Sequence, residues 1–122
     1  KGFRILVMGD LEGEGERDFL RAFKGDLRAG VLIAGHHGSK NASSYALLKR
    51  VKPEFVVFSA GFRNRFGHPH VSVLERVRRF DANVYTTAES GAITLVFSDG
   101  LLGGYLDVNE LRKEDKSFWL SN

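Results

Sequence analysis

The sequence predicts an α/β layered unit, a mixed β-sheet with flanking helices and an antiparallel piece at its C-terminal end. Three observations predict it. Short aliphatic runs alternate with stretches of helical spacing, the first three runs each open into a polar loop, and the last part reads as two strands joined by Ser98-Asp99-Gly100. In such sheets ligands gather beyond the carboxyl ends of the strands, so loops leaving one sheet edge are where chemistry is expected.

The elements follow in order. Arg4 to Met8 is an aliphatic run closed by Gly9-Asp10, a buried strand ending in a loop that Gly13 and Gly15 keep open. Phe19, Leu20 and Phe23 share one face of a helix that stops near Gly25. Val31 to Ala34 is the second strand, followed at once by Gly35-His36-His37-Gly38-Ser39. From about Ser43, Tyr45, Leu48 and Val51 give a helix that must end before Pro53. Phe55 to Phe58 is the third strand, and residues 59–67 form a loop rich in Gly, Arg and Asn. Pro69 suits the first turn of a helix that buries Val73, Leu74, Val77 and Phe80 and leaves Arg76, Arg78 and Arg79 outside. Val84 to Thr86 and Ala92 to Phe97 are further strands, and Leu101 to Val108 is the hairpin partner of the latter. Residues 1–108 form the folded unit and 109–122 a charged tail, with Phe118, Trp119 and Leu120 as a docking patch.

The bulk properties narrow the function. At 122 residues, 43% of them hydrophobic, the chain has one domain's length and one modest core. No apolar run reaches the roughly 18 residues of a membrane span, and the first residues read as a strand, not as a secretory signal. Lys and Arg number 18 against 15 Asp and Glu, a mild excess that permits a polyanionic partner without demanding one. Cysteine is absent, which excludes disulfides and thiolate metal sites, so any metal is held by His, Asp or Glu. Gly13-Glu14-Gly15 lacks the third glycine of a dinucleotide fingerprint, and no Ser-His-acid order stands out.

All four histidines lie in two tight pairs, His36-His37 and His68-His70, on loops that follow strands. With Asp10 at the end of the first strand, they form an imidazole and carboxylate set suited to zinc, manganese or iron, in which Asp10 can bridge two ions. Taken singly each residue has a plainer reading: Asp10, Ser39 and Asn41 as turn or capping residues, and Lys40, Arg63 and Arg65 as solvated loop charges. As a group, Lys40, Arg63 and Arg65 are candidates for phosphate contact, helped by the N–H groups of the helix that begins near Pro69.

The segments Leu6-Val7-Met8-Gly9-Asp10-Leu11, then His36-His37-Gly38-Ser39-Lys40, then Asn64-Arg65-Phe66-Gly67-His68-Pro69, together resemble the metallo-β-lactamase-like domain at the C-terminus of the ComEC family of competence proteins. Val84-Tyr85-Thr86-Thr87 with Glu89, Gly91, Ala92 and Ile93 extends the likeness, which covers roughly residues 3 to 98. The resemblance implies the C-terminal half of an αββα sandwich and a metal-dependent phosphodiesterase that degrades the DNA strand not imported during transformation. It implies Asp10 and His68 as catalytic metal ligands, His36 and His37 as further ligands, and Ser39, Lys40, Arg63, Asn64, Arg65 and His70 as substrate contacts. Two zinc or manganese ions about 3.5–4 Å apart would activate water, a chemistry that needs no protein nucleophile. The family's first motif, His-x-(His or Asp)-x-Asp-His, does not occur in these residues, so the chain alone is expected to be inactive. Its expected partners are DNA, the N-terminal half of the same domain, and a second copy through the uncovered apolar face. The implied location is a soluble, extracytoplasmic domain of a bacterial membrane protein. Two other functions fit the same residues: a non-catalytic module whose basic loops hold DNA, and a hydrolase of this fold acting on another substrate.

Overall fold

The computed structural model describes residues 3–100 and 103–111. Four strands, β1 (Ile5–Val7), β2 (Val31–Ile33), β3 (Phe55–Phe58) and β4 (Asn83–Thr86), form one sheet in the order β1-β2-β3-β4, with all neighbours parallel. Helices α1 (Gly13–Ala22), α2 (Tyr45–Val51) and α3 (Val71–Arg78) supply the three crossovers. A short 3-10 turn spans Gly35–Gly38, and a single helical turn, α4 (Thr87–Ser90), leads into an antiparallel hairpin of β5 (Ala92–Gly100) and β6 (Gly103–Leu111). The main sheet is purely parallel, and the antiparallel pairing is confined to the separate two-stranded sheet.

Because every crossover steps the same way along the sheet, right-handed connections must place all three helices on one face. The burial agrees. Leu6, Leu32, Val56 and Val84 lie in one register row and pack with Leu47, Leu48 and Val51 of α2, with Val73 and Val77 of α3, and with Phe19 and Leu20 of α1. The opposite face carries the other row, where Ile5 is 47% and Val7 65% exposed at the β1 edge. Within β5, Phe97 rests on Phe3 with ring centroids 4.7 Å apart.

Several sequence expectations shift by a turn. Phe23 lies just past the end of α1 and is exposed, stacked on Phe19 at 5.9 Å. Tyr45 is exposed at the start of α2, where Leu47 and Leu48 fill the core instead. Pro69 does not start α3. His70 takes an extended conformation and its ring accepts the Ser72 N–H at 3.2 Å, so the helix begins at Val71, after this cap. Arg76 is not a solvated face residue: its guanidinium donates to the Ala42 and Ser43 carbonyls at 2.9 and 3.1 Å, while Arg79 donates to the Tyr45 hydroxyl at 2.7 Å. β6 continues to Leu111, three residues into the stretch expected to be tail, and Phe118, Trp119 and Leu120 lie outside the described residues. No helix among the described residues is long and apolar enough to cross a membrane.

Candidate metal and phosphate site

Parallel strands bring their carboxyl ends to one edge, so the loops after β1, β2, β3 and β4 meet there. Backbone bonds stitch them together. The His36 N–H donates to the Gly9 carbonyl at 2.8 Å, the Gly13 N–H to the Asn41 carbonyl at 2.9 Å, and the His70 N–H to the Gly38 carbonyl at 2.9 Å. The first of these puts Asp10, one residue beyond Gly9, beside the His36-His37 segment, where it stands exposed in the turn.

The Gly-His-His-Gly segment is held tightly and under strain. His36 and His37 both adopt left-handed backbone conformations, with φ of 44° and 57°, which cost non-glycine residues of order 1–3 kcal/mol each and tend to persist at functional sites. Both flanking glycines are sterically required. A Cβ on Gly35 would sit 2.3 Å from the Leu11 carbonyl oxygen, and one on Gly38 would meet Pro69 at 2.6 Å and Phe58 at 2.7 Å. The His37 ring is fixed through Nδ1, 2.8 Å from the Ser59 carbonyl.

The carboxylate that meets the histidines is Glu12, which caps the N-terminus of α1 without using its side chain on the helix. Its Oε2 lies 3.1 Å from His36 Nδ1, an ion-pair distance whose alignment is not that of a hydrogen bond. Both atoms are buried and without a hydrogen-bond partner among the described residues, although their side chains are 33% and 40% exposed as wholes. The Ser39 hydroxyl, and then His36, hold the Glu12 carboxyl below the usual carboxylate range against the opposing effect of partial burial. The His68 ring stands 6.0 Å from that of His36; burial, with His36 and His37 nearby, pushes it below the ordinary histidine value and favours the neutral imidazole. Among the described residues, no three His, Asp or Glu side chains form a complete metal-holding group.

The remaining predicted site residues divide by what occupies them. The Asn64 amide closes its own loop, donating to the Gly61 and His68 carbonyls at 2.9 and 2.6 Å and accepting from the His68 N–H at 2.8 Å. It also lines a cleft of about 210 Å³ with His37, Ala60, Gly61, Phe66 and His68. Ser39 is buried against Glu12. Lys40 is exposed. Arg63 and Arg65 are exposed and lie over the Phe62 and Phe66 rings, 5.1 and 4.9 Å from the centroids. His70 caps α3.

Glu12 escapes a reading of the sequence because Glu12, Glu14 and Glu16 look alike as acids at a helix start. The structure separates them. Glu16 is 1% exposed and accepts the Ser43 and Ser44 N–H groups at 2.8 and 2.9 Å, at the N-terminus of α2. Glu14 is exposed on the first turn of α1.

Known proteins carry similar segments. The chain is 37% identical over 118 residues to Competence protein ComA of Neisseria gonorrhoeae, an alignment covering 97% of the chain and 16% of that protein. It is 37% identical over 92 residues to ComE operon protein 3 of Bacillus subtilis, covering 75% of the chain and 12% of that protein. With Recombination protein 2 of Haemophilus influenzae it shares 39% identity over 93 residues, covering 76% and 11% respectively. The chain thus spans less than a fifth of the length of these relatives. No protein-family model and no solved structure matches it.

Proposed function

We propose that this chain is part of a metal-dependent phosphodiesterase domain of a ComEC-type competence protein, acting on DNA during uptake, and that its sheet edge supplies one side of the metal centre. The observation that carries the reading is the buried Glu12 Oε2 facing His36 Nδ1 at 3.1 Å, with the His68 ring beside them. Two buried polar atoms that meet as an ion pair and have no hydrogen-bond partner among the described residues fit a cation, and carboxylate with imidazole is a donor set for zinc or manganese. Glu12 and His36 would hold the ion as an incomplete donor set, with His68, Asp10 and His37 adjoining. A bound divalent ion supplies a Lewis acid and an activated water for attack on phosphorus.

The chain's own groups prepare that chemistry. Ser39 and His36 keep Glu12 ionised, and burial keeps His68 neutral with a lone pair to offer. Arg63 and Arg65 bring positive charge to the same edge, suited to a phosphate backbone. The uncovered row of Ile5 and Val7 is what the other half of an αββα sandwich would pack against, and that half would complete the donor set.

Titration calorimetry of the chain with Zn²⁺ and Mn²⁺ tests the reading. Glu12→Gln, His36→Ala and His68→Ala are each expected to weaken binding by about tenfold or more, with Arg78→Ala unchanged. In the parent protein, Asp10→Ala and Glu12→Gln are expected to abolish metal-dependent DNA cleavage. Unchanged affinity in all three histidine and glutamate variants would remove this edge from the metal centre.

A further inference from the structure

The loop after β3 repeats one pattern on each side of Asn64: Phe62-Arg63 before it and Arg65-Phe66 after it, each pair with its guanidinium over its ring. Phe66, like Phe62 at 55%, is a largely exposed ring, at 65%. It is nonetheless well placed, because it stacks on His68 with ring centroids 5.7 Å apart and planes 28° from parallel. The Asn64 bonds to Gly61 and His68 fix the turn that carries it, and the ring forms one wall of the cleft that also contains His37 and His68.

We infer that Phe66 is a stacking platform for one unpaired nucleobase, a base-contacting residue beside the proposed metal centre; this rests on the phosphodiesterase reading above and names the residue that grips the strand. The stack His68, Phe66, Arg65 ends in a guanidinium open to solvent. A base replaces that guanidinium over the Phe66 ring, and Arg65 swings to the phosphate joined to the same nucleotide. Aromatic rings and arginine planes hold unpaired bases in this way, whereas the faces of paired bases are already covered by their neighbours.

The test compares two probes on the 122-residue chain, in EDTA so that no cleavage occurs. One is an oligothymidylate of about ten nucleotides, and the other is an abasic sugar-phosphate of the same length and charge. Fluorescence anisotropy is expected to show the base-bearing strand bound about tenfold more tightly, as stacking of one base implies. Phe66→Ala should erase that preference, Phe66→Trp should keep it, and Arg65→Ala should weaken both probes. A 2-aminopurine placed in the strand should be quenched by the wild-type chain and much less by Phe66→Ala. Equal binding of the two probes, or a preference that survives Phe66→Ala, would overturn the platform even where the parent protein cleaves DNA. A preference that depends on Phe66 would uphold it even where metal-dependent cleavage is absent.

Discussion

Gly35, Gly38 and Gly9 lie within one loop cluster, yet they answer to different constraints. At Gly35 the obstacle is space, since a methyl group would collide with the Leu11 carbonyl, and at Gly38 a collision with Pro69 and Phe58 adds to a left-handed φ of +87°. Gly9 has φ of +57° but open surroundings. Gly35→Ala and Gly38→Ala are therefore expected to destabilise the chain by about 3 kcal/mol or more through overpacking in rigid surroundings. Gly9→Ala should lose only about 1–2 kcal/mol, the strain of a left-handed residue. Chemical denaturation of Gly35→Ala beside Gly9→Ala separates the two causes, and Gly38→Ala combines them. Asp26 offers a second test at this scale. Arg28, with Arg4, holds its carboxyl well below the ordinary value of 3.8. A depressed folded-state value means that its contribution is present above that ordinary value and disappears as pH falls through the folded one. Asp26→Asn should thus lower the melting temperature slightly at pH 7, and the gap to wild type should close in strong acid.

At the scale of elements, the helices are held by groups whose purpose the sequence conceals. Arg50 donates to the Leu20, Phe23 and Gly25 carbonyls at 2.8, 2.7 and 3.1 Å, serving the C-terminal end of α1 from α2. Glu16 serves the start of α2 from α1. Removing a buried carboxylate that accepts two N–H groups strands both donors, so Glu16→Ala should destabilise by about 3 kcal/mol, against about 1 kcal/mol or less for Glu14→Ala. Thermal or urea unfolding measures the difference. The sequence makes the helices and strands themselves legible, because hydrophobic spacing in Val31–Ile33, Leu47–Val51 and Val73–Val77 depends on which face is buried. It hides the 3-10 turn and α4, which are too short to have a period, and the cap at His70, where Pro69 offers the more obvious start. The same limit applies to the candidate site. Strand ends followed by histidines point to the right sheet edge, but only folding distinguishes Glu12 from Glu14 and Glu16, or shows that Asn64 and Arg76 spend their donors on backbone carbonyls.

For the molecule as a whole, the strand order dictates a one-sided architecture. All the crossover helices share a face, and β1 presents Ile5 and Val7 to solvent on the other face, at an edge with unpaired backbone groups. Exposed apolar edges invite pairing with another chain. The chain is expected to self-associate as concentration rises, and Val7→Lys should suppress this with little change in melting temperature. Sedimentation velocity across a concentration series checks it, and a strictly monomeric wild type would show the face to be harmless.

The Arg76 guanidinium joins α3 to the loop of residues 40–43, and the His70 N–H joins the same two regions at Gly38. One histidine pair therefore cannot travel without the other. The loops at this edge should exchange their amide hydrogens nearly as slowly as β2, and Arg76→Ala should release them while the sheet stays protected. On the function proposed above, an ion or a strand arriving here would meet a frame already set. Its affinity would then reflect the quality of the contacts with little loss to ordering, so capture would be governed by fit and desolvation and not by a closing motion.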